Sequence, residues 1–265
     1  MHILVNAQRG GQMVNVPSRT LEHVGRVALL CVAVASALRT PGAWLRPMLR
    51  EFQRQFNDAL PLVLVLTAMG GALISQQTGV QFVGTLPNWV IGSIVAASLI
   101  TEVTPLFTGI AIVGMIGTRV AAEVSAMKVT EQIDALEVMD RDPVRYLVVP
   151  RVVASFFAGP LLTAIALTGS MLAGWGIALL TTRSGSADFW FGVRHYMRDF
   201  PMFYALIKAA AFSTSTTFIA CYAGLESSAG SVGVGRATRQ AVVAMLTSVI
   251  VLDTALVPLL KVVRI

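Results

Sequence analysis

The chain has 265 residues, of which 55% are hydrophobic and only 13% charged, against about 25% charged in soluble domains. With a mean hydropathy of +0.72, that composition excludes most soluble architectures and indicates an all-α integral membrane protein. The net charge of +6 fits basic residues gathered on cytoplasmic segments beside an anionic leaflet, so no nucleic-acid partner is expected.

In chain order, a polar stretch from Met1 to Thr20 precedes the apolar run Val27 to Leu38, which is flanked by Arg26 and Arg39. The run lacks a clear cleavage site, so no cleaved signal peptide is expected. It is also too short to cross a hydrocarbon core of about 30 Å. With Arg46, Arg50 and Arg54 following, it reads as an interfacial amphipathic helix whose arginines reach headgroup phosphates; a tilted sixth span is the alternative. Residues 1–58 are therefore assigned to a cytoplasmic N-terminal segment and 59–265 to the membrane domain.

Missing charges locate the spans, because one ionised group at mid-bilayer costs about 2.5 to 3.5 kcal/mol. Windows 60–118, 152–182, 200–225 and 240–260 contain only Glu102, Lys208 and Asp253 as charged residues. The first window is interrupted by the polar, turn-forming stretch Gln76 to Asn88. Five transmembrane helices are expected, near 59–80, 88–118, 150–181, 201–224 and 240–262. The segments before 59, from 119 to 151 and from 225 to 239 hold 14 Lys and Arg, and the opposite side holds five, which puts the N-terminus in the cytoplasm. The second span, as a straight helix, would run about 46 Å and must tilt, break or protrude; Pro105, Gly109, Gly114 and Gly117 offer places to bend.

Between the second and third spans, residues 127–139 form the one strongly amphipathic soluble stretch, closed by Asp142-Pro143. Val129, Ile133, Leu136 and Met139 recur on one face of a helix, with Glu131, Asp134 and Glu137 opposite. An acidic stripe beside an anionic leaflet faces either solvent or a basic partner.

The string Glu131-Gln-Ile-Asp-Ala-Leu-Glu-Val-Met139, with Asp142-Pro-Val-Arg-Tyr146 and Pro150-Arg151, resembles the cytoplasmic signature of the MlaE/YrbE permease family. Gly233-Val-Gly235-Arg-Ala-Thr238, Ala241-Val-Val243 and Leu252-Asp253 resemble that family's last cytoplasmic loop and final helix. The resemblance runs from about residue 59 onward and implies the transmembrane subunit of a lipid-transporting ABC system in the inner (plasma) membrane. Implied partners are a second permease of the same type, a cytoplasmic ATPase dimer and MCE-domain proteins; ATP and Mg would be bound by the ATPase, with no cofactor in this chain. The helix at 127–139 is then the coupling helix, with Lys128, Glu131, Gln132, Ile133, Asp134, Ala135, Leu136 and Glu137 meeting the ATPase.

Where family members often show Glu-Leu-Gly-Pro, this chain has Glu102-Val-Thr-Pro105; Gly114-Met115 replaces a usual Gly-Arg, and Ser125 replaces a frequent glycine. These departures suggest a specialised paralogue, one half of a heterodimer as in actinobacterial Mce complexes.

Enzymatic chemistry is not expected. The only lysines are Lys128, Lys208 and Lys261, none in a phosphate-cradling loop, and Gly233-Val-Gly235 lacks the strand and helix context of a dinucleotide site. His2, His23 and His195 have no metal spacing, and Cys31 and Cys221 read as small apolar filler. Glu102 and Lys208, each inside a span, must pair or meet water; the resemblance places both near a lipid cavity, and a structural ion pair is the other reading. Asp253 is expected to make an interhelix hydrogen bond near Thr247, Ser248 and Thr254, and the hydroxyl run Ser213 to Thr217 to serve helix packing. The rival functions are a secondary transporter or channel using Glu102 and Lys208 as an ion or proton relay, and a non-transporting scaffold.

Overall fold

A computed structural model describes residues 16–39, 41–82, 84–181, 185–197, 201–228 and 230–262. Within them the chain is helical: α1 (Val16–Ala37), α2 (Pro41–Phe82), α3 (Asn88–Val129), α4 (Gln132–Val138), α5 (Val144–Thr181), α6 (Ser186–Tyr196), α7 (Pro201–Leu225) and α8 (Ser231–Val262). Four of these, residues 44–82, α3, α5 and residues 231–258, are long and apolar enough to cross a membrane. Helix α7 has 25 residues, about 37 Å at the helical rise, but Lys208 and the hydroxyl run dilute its hydropathy.

The helices outrun the spans read from the charges. Helix α2 continues unbroken through residue 58 to Pro41, 42 residues in all, with Pro47 and Pro61 inside it. Glu51, Arg54, Gln55 and Asp58 are spaced three and four apart, so a polar stripe extends the helix beyond its apolar part. Helix α1 starts well before Val27, packs through buried Val34 and Ala37, and lies against the π turn that opens α5. It is clasped to the end of α7 by Arg26, whose Nη1 donates to both carboxylate oxygens of Glu226 at 3.0 and 2.8 Å. The His23 ring and the Tyr222 hydroxyl share a further bond of 2.9 Å. Residues 1–15 lie outside the described part.

Helix α3 is interrupted by π turns at Leu99–Val103 and Val113–Gly117. Its far end packs on α6 so closely that a Cβ on Gly192 would fall 1.9 Å from the Trp89 carbonyl oxygen. Helices α2 and α5 meet in the same way, since a Cβ on Gly71 would lie 2.0 Å from the Ser170 carbonyl oxygen. Without a hydrophobic force between helices in lipid, such backbone approaches supply the dispersion contacts that hold them. Apolar side chains left bare, Val65, Met69 and Leu73 on α2 and Val243, Ile250 and Val251 on α8 among them, are surfaces for lipid or another helix rather than water.

The bundle has two unlike ends. At one, α4 packs on the end of α3, which also meets α7 and α8; at the other, α6 packs on the start of α3 and on α5.

Candidate functional site: a buried cation between two carboxylates

Lys208, on α7, has no solvent exposure. Its Nζ lies 2.7 Å from Glu102 Oε2 on α3 and 2.6 Å from Asp253 Oδ1 on α8. It also donates to the Thr101 carbonyl oxygen at 3.1 Å and sits 5.2 Å from the centre of the Tyr204 ring. One cation thus ties three helices together, with an excess of one carboxylate if all three groups are charged.

The local sequence explains how Glu102 arrives there. Pro105 has no N–H, so the carbonyl four residues earlier, that of Thr101, loses its helical donor. The chain widens into the π turn, with the Thr104 N–H closing on the Leu99 carbonyl, and Lys208 supplies the missing donor. Such one-turn π insertions recur where a side chain must be re-aimed at a site. Glu102 keeps 42% of its side chain exposed while Asp253 keeps 18%, so the centre opens on the Glu102 side. An apolar cavity of about 200 Å³, walled by Ile100 of the same π turn with Leu167, Met171, Trp190 and Met202, lies on the α6 side.

Glu102 and Lys208 are therefore brought together as the spans implied. Asp253 makes the expected interhelix contact but with a different partner: Thr247 and Thr254 turn their hydroxyls back onto the Val243 and Ile250 carbonyls of their own helix, and Asp253 meets Lys208. The hydroxyl run packs α7 against α5. Ser213 Oγ donates to the Ser155 carbonyl at 2.8 Å, and Thr217 shares a hydrogen bond with the Ser155 hydroxyl.

The segment 127–139 is not one helix. Met127 to Val129 end α3, Glu131 takes a left-handed φ of 57°, and α4 is a separate helix of 7 residues. The break falls where Glu131 leaves the right-handed helical region; the Thr130 hydroxyl bonds back to the Ala126 carbonyl at 2.8 Å, as Thr247 and Thr254 do within continuous α8. Asp140, at φ 56°, ends α4 in the same left-handed manner. Ile133 is buried, Val129 and Leu136 are half-buried, and Met139 is exposed, so the expected apolar face stops short. Glu131, Gln132, Asp134, Ala135 and Glu137 are exposed, together with Val138 at 87%. Lys128 turns inward, its ammonium bonded to the Leu225 carbonyl at the end of α7.

A second group of charges was not anticipated. Glu51, Arg54 and Asp58 of α2, Arg119 and Glu123 of α3, and Arg151 of α5 interlock at the α4 end. Arg54 reaches Glu123 at 2.6 Å and Arg119 reaches Asp58 at 2.6 Å. Deeper in, Arg151 lies 3.5 Å from Glu123 and 3.8 Å from Glu51, and Arg119 lies 3.9 Å from Glu51. The signal was present as acid and base spaced three and four apart in 51–58 and at 119 and 123.

Comparison with known proteins agrees with this architecture. Residues 48–259 match the family model described as Permease MlaE. A "Probable ABC transporter permease protein" of Rickettsia felis is 32% identical, across 86% of this chain and 90% of that one. One from Synechocystis is 31% identical over 78% of each chain. The Arabidopsis thaliana chloroplastic protein Trigalactosyldiacylglycerol 1 is 30% identical over 80% of this chain and 60% of its own length. Neither an ion-coupled carrier nor a passive scaffold is what such relatives are named. The chain belongs to the MlaE permease family: it is the multi-pass membrane subunit of an ABC transporter, not itself an enzyme, and works in a complex with a separate ATPase.

Proposed function

We propose that this permease moves lipids across the cell envelope. The carrying observation is the centre of Lys208, Glu102 and Asp253, which sets a half-open polar point between α3, α7 and α8 beside an apolar cavity. An amphiphile needs both surfaces: apolar walls for its tails and a few placed polar groups for its head. The plant relative, named for a glycolipid, supports the same substrate class.

In this reading five helices span the inner membrane, α2, α3, α5, α7 and α8, with α1 in the interface and the N-terminus in the cytoplasm. The α4 end faces the ATPase dimer, which holds ATP and Mg, and residues Lys128 to Glu137 form the coupling region. Its exposed acids and the bare Val138 suit a partner surface of mixed basic and apolar character. Two permeases pair around a shared lipid route, this chain being one half of a heterodimer of the actinobacterial Mce kind, and MCE-domain proteins continue the route beyond the α6 end. ATP drives the cycle by binding open and closed ATPase states with different affinity, which shifts the permease between its arrangements. No side chain of the permease needs to react.

The test is reconstitution of the complete complex in liposomes carrying labelled phospholipid, fatty acid or sterol. ATP-dependent transfer of one of these between vesicle and acceptor is expected. Hydrolysis without transfer of any lipid class would refute the reading.

A further inference from the structure

The loop that carries α4 is closed at its base. It leaves the bundle after Glu123 on α3 and returns at Arg151 on α5, and these two residues face each other at 3.5 Å. Arg151 is only 6% exposed, and it is held from both sides. Its Nη1 donates to the Leu147 carbonyl at 2.9 Å, inside the π turn Val144–Val148 by which the loop re-enters the bundle. Its own carbonyl accepts from Gln55 Nε2 of α2 at 3.2 Å. Gln55 Oε1 in turn accepts from the Ser155 hydroxyl at 3.0 Å, and Ser155 is bonded to Thr217 of α7. A displacement of the loop reaches Arg151 where the loop re-enters the bundle, and from Arg151 leads reach α2, α3, α5 and α7.

The distances divide this cluster into a firm rim and a loose centre. The rim pairs stand at 2.6 Å. The three central contacts, at 3.5, 3.8 and 3.9 Å, exceed the usual N–H···O range of about 2.7 to 3.2 Å. Among the described residues, Glu51 Oε2, Glu123 Oε2, Arg119 Nη2 and Arg151 Nε have no hydrogen-bond partner. A buried guanidinium between two carboxylates, bonded closely to neither, can lean toward Glu51 or toward Glu123 without breaking a short bond. Fully satisfied networks rigidify a core; here the central contacts are long, and Arg151 has a carboxylate on either side within 4 Å. Coupling between two sites needs an element with two arrangements that both sites bias.

We propose that Arg151, poised between Glu123 and Glu51, is the positioning residue through which movement of the α4 loop is delivered to the spans. The proposal rests on the reading that α4 receives the ATPase. In operation the ATPase moves α4, the π turn at 144–148 carries the shift to Arg151, and the guanidinium changes its carboxylate neighbour as α5 slides against α2 and α3. The rim pairs hold the helices in register meanwhile.

The experiment uses the complete transporter in liposomes and reads three quantities: ATPase retained on the purified permease, ATP hydrolysed, and lipid transferred per ATP. Glu123→Gln removes one of the two alternatives and leaves Glu51; because it also breaks the rim pair with Arg54, Arg54→Gln serves as its control and should leave lipid transferred per ATP unchanged. It is expected to leave ATPase retention and hydrolysis near the parent values and to lower lipid transferred per ATP by about fivefold or more. Glu123→Gln with Arg151→Gln should be no worse than the more severe single change, since both remove one contact. Arg151→Lys keeps the charge but not the forked reach, and is judged by the same criteria should Glu123→Gln fail to accumulate. Lipid per ATP unchanged in a complex of normal composition would overturn the proposal. So would loss of ATPase binding in step with transfer, which would make the cluster a shaper of the docking surface. A parent permease that never retains an ATPase would instead overturn the coupling reading of α4.

Discussion

The two buried charge groups differ in what their removal leaves behind. At the centre of the bundle a single cation serves two carboxylates and a freed carbonyl, at distances of 2.6 to 3.1 Å, so nothing nearby can take its place. At the α4 end three arginines and three acids are interleaved at 2.6 to 3.9 Å, and Glu51, Glu123, Arg119 and Arg151 each have a second neighbour of opposite charge within 4 Å. Burial alone does not distinguish a charge that must stay from one that can trade partners; the number of alternatives within reach does.

The severest test of that contrast is Lys208→Ala. It strands Glu102 and Asp253 beside each other among apolar helices, and breaking a buried pair by removing one partner costs about 3–5 kcal/mol. Folded permease recovered in detergent should fall sharply, and ATP-dependent lipid transfer should be lost. Combining Lys208→Met with Glu102→Gln and Asp253→Asn removes the stranded charge and should restore thermal stability without restoring transfer. Recovery of both would reduce the centre to a structural tie and erase its difference from the α4-end cluster.

The next effect comes from an uncharged contact. Helices α2 and α5 carry four of the six cluster residues and none of the triad, and they touch at Gly71, where a Cβ would meet the Ser170 carbonyl oxygen at 2.0 Å. Gly71→Val should cost about 1–3 kcal/mol by overpacking, measured as thermal unfolding in detergent. Transfer per folded molecule should persist, because Lys208 and its partners lie on α3, α7 and α8. Loss of transfer per folded molecule would join two regions that the contrast keeps apart.

How much of this was legible follows the same physics. Four of the five expected spans could be read because a charge in hydrocarbon is expensive and its absence is conspicuous; the same cost required Glu102 and Lys208 to pair or meet water, and the structure pairs them. What could not be read were consequences of backbone detail. Pro105 announced a bend, but the π turn and the donation of Lys208 to Thr101 depend on α7 standing alongside. Residues 127–139 have helical spacing throughout, and spacing does not show that Thr130 bonds back to Ala126 or that Glu131 adopts a left-handed backbone. The α4-end cluster was hidden for a different reason: charges outside the apolar windows look like loop residues until α2 is seen to continue through them.

A smaller change probes the exposed acids of α4, which belong to neither buried group. Glu131→Lys with Glu137→Lys should weaken retention of the ATPase in a pull-down by about tenfold, the scale of one interfacial coupling, with insertion and thermal stability unchanged because both side chains are exposed. Unchanged retention would remove these two residues from the coupling region and shift attention to Val138 and Met139.

The smallest effect is expected where charges pair near the surface. Arg26 and Glu226 form a bidentate contact, but their side chains are 27% and 32% exposed, and pairs open to solvent contribute about 0.2–1 kcal/mol. A double-mutant cycle of Arg26→Gln and Glu226→Gln on detergent-solubilised permease should give a coupling in that range, shrinking as salt is raised from 0.1 to 1 M, where the screening length falls from about 10 to about 3 Å. The His23–Tyr222 bond should keep α1 in place in either variant, so lipid transfer should be unaffected. A coupling well above that range, insensitive to salt, would mean that the clasp is shielded in the membrane-bound complex. It would then join Lys208 among the charges without substitutes.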